Sequence, residues 1–113
     1  MAEESNDLAE KALQAIEKAK ATGRIKKGTN EVTKTIERKT AKLAVSAKDV
    51  NPPEVTMHLP LLAKEKGVLY VEVPSREELG AAAGIGVSTS AVAIIVEGDA
   101  AKIIKEIAAA LKE

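Results

Sequence analysis

Asn30, Glu31, Lys34 and Arg38 follow Gly28 at spacings of three to four, so on a helix they share one face while Val32 and Ile36 occupy another. The chemistry of that face suits the edge of a nucleic-acid base. An Asn amide both donates and accepts, a Glu carboxylate accepts from imino and amino groups, and Lys and Arg neutralise phosphate. Glu31 is the informative member: a purely electrostatic phosphate binder would avoid a carboxylate, whereas a reader of guanine N–H groups can use one. Gly28 permits a tight approach, Thr29 or Asn30 is the expected helix cap, and the first-turn amides form an anion site. A solvated helix start with charges downstream has the same appearance, and the charge distribution separates the two readings.

The chain as a whole is neutral, with 17 basic and 17 acidic residues. Between Lys20 and Lys42, however, eight basic residues face only Glu31 and Glu37, a local charge of +6 that overlaps the Asn-Glu pair. A basic patch of this kind is the electrostatic footprint of a nucleic-acid site. Phe and Trp are absent and Tyr70 is the one aromatic residue, which disfavours binding through base stacking. Folded RNA is therefore a better fit than an extended strand.

A length of 113 residues, 45% of them hydrophobic, predicts a single domain over 1–113 with one aliphatic core. The lack of cysteine removes disulfides, thiolate metal sites and a cysteine nucleophile. The N-terminus is acidic and polar, and no apolar run approaches the roughly 20 residues needed to span a bilayer. These features predict a cytoplasmic, soluble protein with no membrane partner, cofactor or metal.

Residues 6–22 read as an amphipathic helix, with Leu8, Ala12, Leu13, Ile16 and Ala19 on its apolar stripe and Gly23 at its end. A short strand at 25–27 then feeds a helix at 29–39, followed by a buried strand at 42–47. After Asn51-Pro52-Pro53, a helix is expected over 54–66, closed by Gly67 and kinked or shifted by Pro60. A strand at 68–73, a helix capped by Ser75 and running through Ala83, a strand at 90–96 and a helix at 99–112 complete the chain. Alternating helices and near-continuously apolar strands predict a three-layer α/β/α sandwich around a small mixed sheet.

Rival chemistries are weaker. His58, the sole histidine, is the best candidate acid or base, but no nucleophile motif, metal-ligand cluster or P-loop accompanies it. Glu77 and Glu78 are adjacent on a helix and point apart; they suit its N-terminus. Gly84-x-Gly86 lacks the third glycine of a dinucleotide turn and follows a helix, not a strand. Val55, Leu59 and Leu62 have the spacing of either a core stripe or a docking patch.

Gly28-Thr29-Asn30-Glu31-Val32-Thr33-Lys34 closely resembles the signature of the archaeal large-subunit ribosomal protein family that binds kink-turn RNA. Further blocks match in order: Ala41-Lys42-Leu43, Asp49 to Glu54, Met57 to Leu62, Tyr70 to Ser75 and Glu78-Leu79-Gly80. The resemblance spans nearly the whole chain. It implies a non-catalytic protein with an α/β/α fold that stabilises kink-turn or kink-loop RNA, in which tandem sheared G·A pairs adjoin a sharp bend. It also implies partnership with rRNA, with box C/D and H/ACA guide RNAs or ribonuclease P RNA, and with the core proteins of those particles.

Carried over by position, the resemblance gives Asn30, Glu31 and Lys34 the G·A pairs, with Lys27, Gly28 and Thr29 beside them. Arg38 and Arg76 extend the charged surface, and Ile85, Gly86 and Val87 meet a base splayed from the bend. The chain departs from the family pattern at Lys39, where Gly is common, at Asn51, where an acid is common, at Ala63, where Cys is common, and at Gly86 and Ser88.

Overall fold

The computed structural model describes residues 2–49 and 56–112. The helices are α1 (Ala2–Thr22), α2 (Thr29–Glu37), α3 (His58–Lys66), α4 (Arg76–Ala83) and α5 (Ala101–Lys112). The strands are β1 (Arg24–Lys27), β2 (Leu43–Ala47), β3 (Tyr70–Val73) and β4 (Ala91–Val96), and a 3-10 turn at Gly98–Ala100 leads into α5. Strand order across the sheet is β1-β4-β2-β3; β4 runs antiparallel to both its neighbours and β2 runs parallel to β3. The expected elements are all found, with boundaries that coincide or move by up to four residues.

Residue alternation along the central strands divides the interior into two layers. Leu43 and Val45 of β2, Val71 and Val73 of β3, and Val92 and Ile94 of β4 pack under α1, α4 and α5. On the other face, Ala44, Ala91 and Ala93 lie beneath Val32 and Ile36 of α2 and Leu59 and Ala63 of α3. This confirms the α/β/α layering. The three alanines leave no bulk between the sheet and α2, so the helix can ride close to the sheet surface. The α1 stripe is similarly lean: Ala9, Ala12, Ala15, Ile16 and Ala19 are buried at intervals of one helical turn.

Polar groups inside the smaller layer are paired. Ser46 is fully buried and bonds the Tyr70 hydroxyl. Burial raises the Tyr70 phenol above its usual value; the Ser46 bond works against that shift and the Glu72 carboxylate adds to it. The lone aromatic thus serves the interior.

The helix ends largely follow the sequence logic. Ser75 accepts hydrogen bonds from the amides of Glu77 and Glu78 at 3.2 and 3.3 Å, and Gly67 closes α3 in the left-handed conformation. α3 begins at His58, so Pro60 is its third residue, where the missing N–H would have had no helical partner; the proline falls at the start without kinking the helix. Val50, Asn51, Pro52, Pro53, Glu54 and Val55 lie outside the described residues, as does the expected helical start at 54. Leu59 is buried and Leu62 packs against the core, so these two belong to the interior rather than to a docking patch.

The end of α2 explains why glycine is favoured at position 39. Lys39 has φ 59°, its amide bonds the Ile36 carbonyl at 3.0 Å, and the Thr40 amide reaches the Thr35 carbonyl at 2.9 Å. This is a Schellman closure with a lysine in the left-handed position, where a Cβ costs about 1–2 kcal/mol. Lys39→Gly should therefore raise unfolding free energy by about 1 kcal/mol in urea denaturation, glycine's greater unfolded-state freedom offsetting part of the gain. An unchanged or lower midpoint would show that the left-handed turn is not strained.

Candidate nucleic-acid interface

The start of α2 is built by Gly28, which is the N-cap; the expected Thr29 or Asn30 side-chain cap does not form. Gly28 has φ 94° and ψ 149°, a backbone region open in practice only to glycine. A Cβ there would meet no atom within 4 Å, so conformation, not close protein packing, demands glycine. Its amide donates to the Ala91 carbonyl at 2.8 Å, and its carbonyl accepts from Val32 at 3.0 Å. The Thr29 hydroxyl turns sideways to the Ser90 hydroxyl at 2.6 Å, with either group able to donate. The first-turn amides are left without a side-chain cap and present an electropositive helix end.

Val32, Thr35 and Ile36 are buried beneath α2, while Asn30, Glu31, Lys34 and Arg38 are exposed. The structure thus sets the four polar side chains on the outward face expected from their spacing. Lys34 Nζ lies 3.6 Å from Glu31 Oε2, and both side chains are about half exposed. Such a surface pair contributes little to stability, so either partner can exchange it for another hydrogen-bonding group at small cost. Lys27, at the end of β1, is exposed immediately before Gly28.

His58 joins this assembly in a role that sequence reasoning did not supply. The Thr33 hydroxyl donates to the Thr29 carbonyl at 2.7 Å, and His58 Nε2 lies 2.8 Å from the same hydroxyl oxygen. One hydroxyl thus bridges the Thr29 carbonyl and the His58 ring. His58 therefore ties the start of α3 to the first turn of α2. Ser90 was also missed, because a serine at a strand start carries no signal of a partner 61 residues away.

The loop after α4 forms a second arm beside the first. Gly84 and Gly86 both have positive φ, 74° and 45°. Val87 is 70% exposed, whereas Ile85 is half-buried against the main core, so the two apolar loop residues divide between surface and support. Arg76, Gly86 and Val87 line one cleft of about 500 Å³ together with Glu77, Ala81 and Ser88. The Thr89 amide donates to the Arg76 carbonyl at 3.2 Å, and the next two residues, Ser90 and Ala91, hold Thr29 and Gly28. The two arms thus share one anchor.

Gly80 sets the height of this loop. A Cβ at Gly80 would run into the Val87 carbonyl, a backbone atom that cannot swing aside. Gly80→Ala should displace the loop and destabilise the protein by about 1–3 kcal/mol, as overpacking does. Thermal unfolding measures the change; a wild-type midpoint would show that the loop yields freely.

The sequence matches the "Ribosomal protein L7Ae/L30e/S12e/Gadd45 family" over residues 10–104. Among solved structures, the fold is similar to the Giardia lamblia 15.5kD RNA binding protein, with 31% identity and a TM-score of 0.87; the alignment covers 94% of this chain and 88% of that one. Since the match takes in both arms, their common anchor and the whole sheet, the chain belongs to the ribosomal protein L7Ae/L30e/S12e/Gadd45 family.

Proposed function

We propose that this protein binds folded RNA and, without a chemical step, stabilises a kink-turn or kink-loop. The observation that carries the reading is the exposed Asn30-Glu31-Lys34 face, set at an uncapped helix start beside the loop that bears Val87. The RNA-binding name of the similar Giardia protein supports it. So does the basic segment from Lys20 to Lys42, a local charge excess that includes the Asn30-Glu31-Lys34 helix in an otherwise neutral chain.

Each group has a distinct task. Asn30 and Glu31 supply the donor and acceptors that discriminate: Glu31 accepts from guanine N–H groups left free by sheared G·A pairing, a role a phosphate contact cannot fill. Lys34 exchanges its Glu31 partner for RNA. Lys27, Arg38 and Arg76 neutralise phosphates, and the Thr29 amide and its neighbours complete the anion site. Gly28 brings the backbone up to the RNA without a side chain in the way. Val87 covers a base splayed from the bend, with Gly86 shaping the turn and Ile85 holding the loop down.

Recognition by this surface works as selection: the protein contacts the kinked RNA better than the extended form and so shifts the RNA toward the bend. Kink-turns in large-subunit rRNA, in box C/D and H/ACA guide RNAs and in ribonuclease P RNA are the proposed targets, with the protein serving as a core around which further particle proteins assemble.

Asn30→Ala, Glu31→Ala and Lys34→Ala should each weaken binding to a kink-turn RNA by about 1–3 kcal/mol, the scale of a lost base contact or charged hydrogen bond, with the fold unchanged by circular dichroism. Glu31→Ala should lose the most discrimination and Lys34→Ala the most salt dependence. Wild-type affinity in all three would overturn the assignment of this face.

A further inference from the structure

A lysine far from the recognition helix in sequence stands at the foot of the loop that carries Val87. Lys20 leaves the last turn of α1 and lies across Gly84, the C-cap of α4. A Cβ built at Gly84 would fall 2.5 Å from Lys20 Nζ and 2.7 Å from its Cδ, so the bare glycine makes room for the lysine's outer end. Gly84 is in the left-handed conformation, its amide bonds the Ala81 carbonyl at 3.0 Å, and Ile85 bonds the Gly80 carbonyl at 3.2 Å. The ammonium therefore sits where the C-terminal carbonyls of α4 carry partial negative charge, which favours a cation. Lys20 is nonetheless exposed, and an ammonium has three donors to offer.

One other cation lines the same loop, and a third shares the α1 side of the sheet. Ile25 packs into the α1-side core, so Lys27, two residues along β1, points to that side as well; its partner across the strands, Val92, is buried there. Arg76 lines the cleft against Gly86 and Val87. Lys20 and Arg76 thus reach residues 84–88 from two different elements, Lys20 at Gly84 and Arg76 at Gly86 and Val87. A base splayed over Val87 brings the phosphates on either side of it to this loop, and a cation lying at the loop's foot is placed to meet one.

We propose that Lys20 is a further contact to the RNA backbone, a phosphate ligand supplied by α1 and lying across the C-terminal end of α4. This rests on the RNA-binding reading above. It adds a non-discriminating charge contact on the splayed-nucleotide side of the bend, separate from the G·A-reading face of α2.

The test is Lys20→Gln, which keeps most of the stem over Gly84 and removes the charge, titrated with a labelled kink-turn RNA over a series of salt concentrations. The expected result is several-fold weaker binding at low salt. The slope of log affinity against log salt should be shallower by roughly 0.7–0.9, the value of one neutralised phosphate. The melting temperature and the preference over a G·A-substituted RNA should be retained. Lys64→Gln, on α3, is the control and should leave the slope unchanged. Weaker binding by Lys20→Gln with a wild-type slope would mean that Lys20 only braces the loop, and wild-type binding that it makes no contact; either overturns the proposal. The wild-type protein's preference between the two RNAs reports separately on the reading beneath it.

Discussion

The whole proposed RNA surface depends on how the start of α2 is fastened to the start of β4. Two bonds do this, from the Gly28 amide to the Ala91 carbonyl and between the Thr29 and Ser90 hydroxyls. They join the helix that displays Asn30, Glu31 and Lys34 to the end of the loop that displays Val87. Without that junction the two arms would be independent surface features; with it, they are tied together through residues 89–91, and the proposed RNA surface gains a defined spacing. Preorganisation of this kind spares the complex much of the ordering cost that a flexible loop would incur on binding.

The packing beneath serves the same end. Ala44, Ala91 and Ala93 keep the sheet surface low, and fully buried Val32 and Ile36 seat α2 upon it, each worth about 1.5–3 kcal/mol of apolar burial. Thr33 and His58 then brace the first turn from the side of α3. The buried face thus fixes the helix's rotation, and rotation decides which residues point outward. In a chain of zero net charge, the local excess of cations between Lys20 and Lys42 would give the proposed surface attraction toward RNA without the self-repulsion of a uniformly basic protein.

The layered architecture and the outward face of α2 were legible in the sequence because each rests on a local period: three to four residues for the helices, two for the half-buried strands. Ser75 and Gly67 announced their helix ends for the same reason, each acting within a few residues of itself. The N-cap of α2 was not legible: Thr29 has good capping chemistry, but its hydroxyl is claimed by Ser90, a tertiary partner with no sequence signal. Gly80 looked like an ordinary helix residue, although it is small because the Val87 carbonyl occupies the space a Cβ would need; Gly84, read as the start of the loop after the helix, has a left-handed φ of 74°. His58 could be weighed only as acid, base or structural residue until α3 was seen against α2. Strand order, likewise, is set by long-range pairing and left no mark on the periodicity.

The central claim is that this surface selects a bent RNA over its extended form, and the most direct measurement is of the bend itself. A kink-turn RNA labelled on its two stems for energy transfer, titrated with the protein at physiological salt, should show the stems drawn together. A matched RNA with Watson–Crick pairs in place of the G·A pairs should show little change. Equal bending of both RNAs, or binding without bending, would contradict the account.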